Sequence, residues 1–414
     1  MLFVYRILIN LIFILSPIIV VLRLIKKKED PKRFKEKLGF FARKKNNGKL
    51  IWFHGASVGE LQSIVPILEK LEKNKRIKQI LITSNTVSSS KIIKNNKFKK
   101  VIHQFFPIDA NFLVKKFVNH WRPSKAIFID SEIWPNTIFY LKKRKIPIIL
   151  INGRITKKTF KKWKKISLFS QKIFKSFELS LSSSKESFNY LKKLKFNNVK
   201  YIGNLKFSQA EKENLYFEKK LKKFLSLKKS WCASSTHKSE ELFVGLAHKM
   251  LKKKIKKLLT IIIPRHVDRC NDIKKSLEGL NLKVHLDEPK VQIDPNTDIY
   301  LVNSYGKTKS FYKNCQNVFL GGSLIKHGGQ NPLEAARYGC SIIYGPYIQN
   351  FKEIYDYLKK NKISYRIENT KSMAKQLYFL FKKNNNSKKI QNKIKITGDH
   401  ILKKTYDEIF INNK

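Results

Sequence analysis

Glu60 is the first residue of the chain whose type and position could do chemistry. It follows a predicted strand, Leu50–His54, and a turn at residues 55–59 that contains two glycines. Apolar residues recur at helical spacing directly after it: Leu61, Ile64, Val65, Leu68 and Leu71. Open α/β sheets bind ligands outside the carboxyl ends of their strands, so this carboxylate could be directed at a substrate. The alternative is that Glu60 only complements the dipole of the helix that it begins.

More polar clusters follow the predicted strands of the first half of the chain. They are His54 to Glu60, Ser84 to Thr86, Asp130 to Asn136, Asn152 to Arg154, and Gly203 to Lys206. The carboxyl ends of parallel strands lie at the same edge of a sheet, so we expect two carboxylate sites and a lysine to converge there. Such a set could deprotonate a hydroxyl nucleophile and balance charge that develops on a sugar or acyl centre.

The second half of the chain repeats this arrangement with residues that suit a nucleotide. The clusters are Ser235, Thr236 and His237; Pro264, Arg265 and His266; Gly306 and Lys307; Gly321, Gly322 and Ser323; and Gly328 to Gln330 with Asn331, Pro332, Leu333 and Glu334. Glycine-rich turns let backbone N–H groups approach phosphate, Arg265 offers a forked donor, and Glu334 could accept from a ribose diol. Each cluster alone has a plainer reading: a structural turn, a packed histidine, or a helix that starts at Asn331-Pro332 with Glu334 in its first turn.

The elements that position these clusters alternate between short β-branched runs and amphipathic stretches. In the first half, strands are predicted at residues 50–54, 79–83, 126–130, 146–152, 179–182 and 200–203. In the second half they are predicted at 231–234, 258–263, 283–286, 298–303, 317–320 and 341–344. This rhythm is typical of βα units on a parallel sheet. It predicts an α/β fold of two Rossmann-like, doubly wound lobes, with the active site in the cleft between them.

The domain boundaries follow from the same pattern. We expect a membrane anchor helix at residues 1–28, a first lobe at 29–207, and a helical, strand-free linker at 208–229 that is rich in Lys, Glu and Leu. A second lobe at 230–375 and C-terminal helices at 376–414 complete the chain.

The composition limits which partners the protein is expected to bind and in which compartment it is expected to lie. Eighty-seven Lys and Arg against thirty Asp and Glu give a net charge of +57. The lysines are spread over every segment instead of one face or module, which indicates compositional bias and not a nucleic-acid-binding surface. The four cysteines, Cys232, Cys270, Cys315 and Cys340, are widely spaced and indicate buried free thiols of a reducing compartment. No histidine completes a ligand cluster with them, so we expect no metal and no cofactor.

The first residues of the chain predict a membrane segment. Residues 1–22 are apolar apart from Arg6, Asn10, Ser16 and Pro17, and a cluster of Arg23, Lys26, Lys27 and Lys28 follows. The uncharged run is shorter than the ~20 residues that span a bilayer, and Pro17 should kink it, so a monotopic helix competes with a true span. The positive-inside rule places the rest of the chain in the cytoplasm.

In their order, these motifs closely resemble the 3-deoxy-D-manno-octulosonic acid (Kdo) transferases of lipopolysaccharide biosynthesis. The residues that carry the resemblance are Trp52 to His54 with Ser57 to Glu60, Glu132 to Asn136, Asn152 to Arg154, Gly203 to Phe207, Ser235 to His237, Pro264 to His266, Gly321 to Ser323, Asn331 to Glu334, and Gly345-Pro346 with Asn350-Phe351. The resemblance implies a GT-B glycosyltransferase at the inner membrane, CMP-Kdo as donor and a lipid A precursor of the lipid IVA type as acceptor. It also implies inverting, metal-independent transfer.

The resemblance also implies roles for individual residues. Glu60 would be the general base that deprotonates the acceptor hydroxyl, and Lys206 with a carboxylate of the Asp130/Glu132 pair would stabilise the transition state. The CMP would be held by Arg265, Gly306, Lys307 and Asn331 to Glu334.

This chain departs from the family pattern at two positions. Asp130 stands where the family has Glu, so Glu132 is the better candidate of the pair, and Lys307 replaces an acidic residue and is expected to point to the donor phosphate. Two alternatives stay open: another GT-B enzyme that uses a nucleotide sugar on a lipid acceptor, and a non-catalytic basic protein that binds membrane or nucleic acid.

Overall fold

The computed structural model describes residues 1–41, 43–209, 217–288, 291–383 and 387–411. The chain divides into two compact units. The first unit is Met1–Ala210 together with Thr397–Lys414, and the second is Glu211–Ile396. Each unit is built on one parallel sheet flanked by helices, as the sequence predicts for a doubly wound fold.

The first unit contains seven strands and the helices that connect them. The strands are β1 Leu50–His54, β2 Gln79–Ser84, β3 Val101–Phe105, β4 Lys125–Ile129, β5 Ile148–Gly153, β6 Leu179–Ser182 and β7 Val199–Tyr201. The helices are α1 Leu2–Ile25, α2 Val58–Glu72, α3 Val87–Asn95, α4 Asn111–Trp121, α5 Pro135–Lys143, α6 Lys157–Lys165, α7 Ser167–Phe174 and α8 Lys185–Lys193, with 3₁₀ turns at Phe34–Leu38 and Leu205–Ser208. The sheet order is β3-β2-β1-β4-β5-β6-β7, so the strand order reverses between β1 and β4.

Helix α9, Lys219–Ser226, precedes the second sheet. The strands of this sheet are β8 Lys229–Thr236, β9 Leu258–Pro264, β10 Val284–Leu286, β11 Ile299–Leu301, β12 Asn317–Leu320, β13 Ser341–Tyr344 and β14 Ser364–Arg366. Its helices are α10 Glu240–Lys252, α11 Cys270–Glu278, α12 Thr308–Asn314, α13 Leu333–Arg337, α14 Lys352–Lys360 and α15 Thr370–Lys382, with a 3₁₀ turn at Val267–Arg269; α16, Ser387–Phe410, ends the described chain. The order is β10-β11-β9-β8-β12-β13-β14, and it reverses between β8 and β12.

Each sheet is covered on both faces by apolar side chains. In the first unit Trp52, Phe128 and Leu150 are fully buried, and the second unit buries Trp231, Ile262 and Phe319 in the same way. Strands β1 and β12 are buried along their whole length, which explains why all of their residues are apolar except His54 and Asn317. The cores therefore fix the strand ends from which the polar clusters project.

All twelve strands expected from the sequence occur, with ends that differ by at most two residues. The sequence missed β3 and β14, which are edge strands of their sheets. An edge strand needs fewer apolar residues because it is covered on one side only, and β3 carries the polar pair His103 and Gln104. The expected linker contains α9, while residues 210–216 lie outside the described part of the chain.

Helix α1 is continuous through Pro17. It is 24 residues long, and its most apolar stretch of 18 residues has a mean hydropathy of 2.6, so by length and composition it could cross a membrane. It is also attached to the first unit, since the Tyr5 hydroxyl donates to Asp109 Oδ2 at 2.8 Å and Phe13 packs edge-on against Phe112. All four cysteines are buried free thiols, as their spacing predicts.

Candidate active site

Glu60 lies in the first turn of α2, directly after β1 and its turn. Ser57 caps the helix by accepting from the Glu60 N–H at 3.3 Å. The Glu60 carboxylate turns back on the same loop and accepts from the Ala56 N–H and the Ser57 hydroxyl, both at 2.7 Å. These bonds hold the carboxylate at the carboxyl end of β1.

The Glu60 carboxyl has a pKa well above its ordinary value. Burial raises its pKa from 4.5 to about 7, and the negative charges of Asp130 and Glu132 add to this, whereas the bonds from Ser57 and Ala56 oppose it. A base whose pKa lies near the working pH combines a useful ionised fraction with enough basicity to take a hydroxyl proton. A raised pKa of this kind is compatible with the base role that the sequence analysis expects of Glu60, beside the dipole-complementing alternative.

Glu132 follows β4, the strand next to β1 across the point where the sheet order reverses. Its Oε2 lies 3.1 Å from His54 Nε2 and 2.9 Å from Trp134 Nε1. His54 Nδ1 faces the Thr83 hydroxyl at 2.9 Å, and if Nδ1 accepts there, Nε2 carries the proton and donates to Glu132. Burial acts to raise the pKa of Glu132, but the bonds from His54 and Trp134 outweigh it and lower the pKa. Glu132 is therefore a fixed negative charge beside Glu60.

Asp130 directly follows β4 and connects to the segment that carries Lys206. Its carboxylate accepts from the Asn152 side-chain amide, while Asn152 Oδ1 accepts from the Leu205 N–H at 2.9 Å. Burial raises the pKa of Asp130, against the effect of the nearby Lys206 ammonium and the Asn152 bond. The convergence of Glu60, Asp130, Glu132 and Lys206 that the sequence predicts is thus present in the first unit.

Two of these connecting residues have left-handed backbone conformations. Asp130 has φ 59° and Asn152 has φ 53°. Asp and Asn tolerate this region better than other side-chain-bearing residues, and such conformations cluster at functional sites. They aim both side chains into the same space beyond the sheet edge.

In the second unit, the Ser235–His237 turn begins with the last two residues of β8, and the Gly321–Ser323 turn follows β12. Strands β8 and β12 lie on either side of the reversal in strand order. The turns meet backbone to backbone, because a Cβ on Gly321 would lie 2.3 Å from the Ser235 carbonyl oxygen. Thr236 is fully buried, and its hydroxyl finds no partner among the described residues. These turns stand where a doubly wound sheet binds its ligand.

Three histidines and an arginine surround this edge. The His237 ring lies 4.3 Å from the His327 ring and 6.1 Å from that of His266. Arg265 is exposed, and its backbone N–H donates to the Thr236 carbonyl at 2.9 Å. Burial, together with His327, His266 and Arg265, lowers the pKa of His237 to about 4, so its imidazole is neutral at pH 7. Exposed cationic and neutral donors together suit an anionic ligand.

The N–H groups of the Gly322-Ser323 turn, which the sequence analysis expected to face phosphate, have a partner inside the protein. Both N–H groups donate to the buried Glu240 carboxylate, at 2.7 and 3.1 Å. The Ser323 hydroxyl is also buried and bonds to the Leu320 carbonyl and the Gly345 N–H. The turn is occupied from within the protein.

Lys307 also has a different partner from the one expected. Its ammonium donates to Asp287 Oδ2 at 2.7 Å, and the other oxygen of Asp287 accepts from the Tyr300 hydroxyl. Asp287 lies twenty residues before Lys307, and no local sequence pattern connects the two. Gly306, the neighbouring residue, is exposed and has φ 90°.

The Asn331 to Glu334 segment forms the start of α13, as the plainer reading of its sequence proposed. Asn331 Oδ1 accepts from the Leu333 N–H at 3.2 Å, and Pro332 precedes the first helical residue. Leu333 is fully buried and so belongs to the core. Glu334 lies in the first turn, with its Oε1 3.8 Å from Lys309 Nζ. Pro264 is the last residue of β9, which places Arg265 and His266 beyond the strand end.

Sequence reasoning overlooked Glu240, His327 and Asp109. Glu240 begins a helix just after a strand and a turn, the same pattern that singled out Glu60, so that signal was available. His327 lies beside the glycine pair 328–329 but gave no pattern by itself. Asp109 accepts from the N–H groups of Asn136 and Thr137 and thereby caps α5. Within the described ranges, no three His, Cys, Asp or Glu side chains form a group that could hold a metal ion.

Comparison with known proteins shows which family this chain resembles. A family model described as 3-deoxy-D-manno-octulosonic-acid transferase (kdotransferase) matches residues 32–209. The 3-deoxy-D-manno-octulosonic acid transferase of Rickettsia bellii is 33% identical over 387 residues, covering 92% of this chain and 91% of that protein.

Solved structures show the same fold at low sequence identity. A glycosyltransferase from Rickettsia africae superposes with a TM-score of 0.57 at 14% identity, covering 89% of this chain and 100% of the other. A UDP-GlcNAc 2-epimerase from Neisseria meningitidis, bound to UDP-GlcNAc, gives a TM-score of 0.56 at 13% identity, covering 86% and 100%. These similarities are to the GT-B arrangement of two parallel-sheet α/β lobes.

Proposed function

Since the chain belongs to the 3-deoxy-D-manno-octulosonic acid (Kdo) transferase family and is therefore a glycosyltransferase, we propose that it transfers Kdo from CMP-Kdo to a lipid A precursor of the lipid IVA type. The reaction would invert the anomeric centre and need no metal ion. The observation that carries this proposal is the Glu60 carboxyl, with a pKa raised to about 7 and two carboxylates beside it.

Glu60 would act as the general base. Its carboxylate would take the proton of an acceptor sugar hydroxyl as the hydroxyl oxygen bonds to the anomeric carbon of Kdo. The bond from that carbon to the phosphate oxygen would break, and CMP would leave with the electron pair. The fixed negative charge of Glu132 supports this role because it makes Glu60 more basic.

Lys206 would balance the negative charge that develops on the leaving phosphate or on the donor carboxylate. The side chains that support this role are Asn152, which joins its segment to Asp130, and Asp130 itself, whose charge lies close to the ammonium. Asp130 would thus act through Lys206, which distinguishes it from Glu132. The shorter Asp at this position is consistent with a positioning role.

The second unit would hold the donor. Arg265, His266 and His237 surround the end of β9 and the Ser235–His237 turn, and the Asn331 to Glu334 segment follows β12. Arginine pairs with phosphate or carboxylate through two parallel N–H bonds, and CMP-Kdo carries one group of each kind. We place the CMP-Kdo anions against Arg265 and the histidines, and not against the Gly322-Ser323 turn, whose N–H groups are occupied.

The chain would lie at the cytoplasmic face of the inner membrane. Large apolar residues of α1 are exposed, among them Phe3 at 74%, Ile14 at 70% and Ile25 at 72%. The contacts of Tyr5 and Phe13 and the burial of Val20 attach the helix to the first unit along most of its length. A helix held in this way favours the monotopic alternative over a span. A Phe3→Cys variant should then resist an impermeant maleimide in right-side-out vesicles, and labelling there would indicate a spanning helix.

One assay tests the reaction. The purified protein is incubated with CMP-Kdo and a tetra-acylated lipid A precursor, with and without a chelator. The molecular mass of the product is then measured by mass spectrometry. We expect a mass gain of one or more Kdo units in both samples. No gain, or a gain that the chelator abolishes, would contradict the proposal.

A further inference from the structure

Glu240 is a fully buried carboxylate at the start of α10, and four backbone N–H groups donate to it. Its Oε2 accepts from His237 at 3.0 Å and Gly322 at 2.7 Å, and its Oε1 accepts from Ser323 at 3.1 Å and Leu324 at 2.9 Å. These donors belong to the turns after β8 and β12. One side chain therefore joins the two turns at the reversal point of the second sheet.

The close packing of these turns leaves little tolerance for displacement. The Gly321 N–H donates to the Ser234 carbonyl at 2.9 Å, and a Cβ on Gly321 would lie 2.6 Å from the Thr236 Cα. Gly322 has φ 65°, and a Cβ there would lie 3.3 Å from the His237 ring. A small movement of either turn would therefore shift His237.

Successive backbone N–H groups that point at one spot form an anion-binding nest. In this protein Glu240 fills the nest, so a donor phosphate could enter only by displacing a buried carboxylate and leaving it without donors. That exchange is unfavourable because a buried charge is stable only when it is hydrogen-bonded.

We propose that Glu240 is a positioning residue for the donor. Its carboxylate holds the His237 turn and the Gly321 to Leu324 turn in one geometry. The inference rests on the proposed function, because it takes the second unit to be the CMP-Kdo lobe. Glu240 itself does not touch the donor. Arg265 and His266 contact the donor in the proposed function, and Glu240 fixes the position of the His237 imidazole relative to them.

The variant Glu240→Gln tests this inference in the full-length protein. Its amide has one acceptor oxygen, so the two buried N–H groups that donated to the other oxygen lose their acceptor, and the remaining two lose a charged partner. Hydrogen bonds to charged groups are worth enough to change binding about tenfold. We expect the Kd for CMP to rise about tenfold. We also expect the amides of His237, Gly322, Ser323 and Leu324 to lose protection from hydrogen exchange.

Asp298→Asn is the matched control. Asp298 is a buried carboxylate in the same unit. It directly precedes β11 and so lies at the amino ends of the strands, away from the turns that Glu240 joins. It accepts from His248 Nε2 at 3.3 Å, from the Lys252 ammonium and from the Lys283 N–H. This variant should lower the melting temperature without changing the Kd for CMP or the exchange of the Gly322 amide. Glu240→Asp, which keeps the charge with a shorter reach, should give an intermediate Kd and serves as the readout if the Gln variant does not fold.

The outcomes separate the two proposals. If the unaltered protein binds CMP and Glu240→Gln binds it equally well with its amides still protected, the inference is overturned and the donor lobe stands. If the unaltered protein does not bind CMP, the donor assignment fails, and the positioning role fails with it. If Asp298→Asn weakens CMP binding as much as Glu240→Gln, the effect is general destabilisation and the inference is overturned.

Discussion

The side-chain amide of Asn152 donates to the carboxylate of Asp130, and both residues have a left-handed backbone. Through its other atom, Oδ1, Asn152 also accepts from the Leu205 N–H, one residue before Lys206. The lysine that the sequence associated with catalysis is therefore held by an amide that lies more than fifty positions earlier in the chain. This connection makes Asn152 a separate test of the site.

Asn152→Gly should lower kcat while leaving CMP affinity unchanged. Glycine keeps the positive φ without strain, so the variant removes the amide alone. We expect kcat to fall by about 10- to 100-fold, since loss of one or two positioning bonds misplaces a charged group. Steady-state kinetics with CMP-Kdo and equilibrium binding of CMP are the measurements. A variant with normal kcat would show that Lys206 is positioned in another way.

Glu60→Gln should abolish transfer and retain CMP binding. Removal of a general base costs about 10²- to 10⁴-fold in rate. The control is Glu72→Gln at the other end of α2, where the carboxylate accepts from the Lys99 and Lys100 N–H groups and lies away from the strand ends. Single-turnover rates of both variants decide the matter. Glu60→Gln with normal turnover would rule out the general-base role.

The rate of transfer should depend on the ionisation of Glu60. Only the carboxylate form can accept a proton, and the pKa of Glu60 is about 7. We therefore expect the single-turnover rate to rise with pH up to about 7 and to level off above it. The residual rate of Glu60→Gln should lack this rise. A profile that is flat through neutral pH in the unaltered protein would contradict the assignment.

The raised pKa of Glu60 also predicts that the free energy of unfolding falls with rising pH, whereas the rate of transfer rises. The folded protein holds a proton on Glu60 up to about pH 7, whereas in an unfolded chain the carboxyl loses it near its ordinary value of 4.5. The folded state binds more protons between these values, so Glu60 destabilises the fold as pH rises through this range. Glu60→Gln should then melt no lower than the unaltered protein at pH 8, as scanning calorimetry can measure. A large drop in melting temperature would show that its hydrogen bonds to Ala56 and Ser57 outweigh the charge.

Tyr5→Phe should loosen the attachment of α1 to the first unit. The Tyr5 hydroxyl donates to Asp109, a carboxylate that is 1% exposed and also caps α5 through Asn136 and Thr137. Loss of a hydrogen bond to a charged group costs about 1.5–3 kcal/mol. The free energy of unfolding in detergent, from urea titration, should fall by about this amount. Tyr140→Phe, which removes an exposed bond to Asn119, should change it by less than about 0.5 kcal/mol and serves as the control.

The sequence by itself determined the fold class and the edge of each sheet at which the polar residues lie. Short β-branched apolar runs such as Ile148 to Ile151 are typical of buried strands, and side chains that follow the carboxyl ends of parallel strands lie at one edge of the sheet. That logic brought Glu60, Glu132 and Lys206 to one place without any knowledge of their contacts. It failed at β3 and β14, whose apolar signal is weak because β3 contains His103 and Gln104 and β14 is only Ser364, Tyr365 and Arg366.

Only the tertiary structure decided which partner each polar group takes. The sequence offered the Gly322 turn to a phosphate and Lys307 to the donor, whereas the fold directs them to Glu240 and Asp287. A hydrogen bond requires its two atoms to be placed to within a few tenths of an ångström, although the residues can lie about eighty positions apart in the chain. No local sequence pattern encodes that placement. Hydrophobic periodicity is local and therefore readable in sequence, but the pairing of buried polar atoms exists only after the strands have been placed side by side.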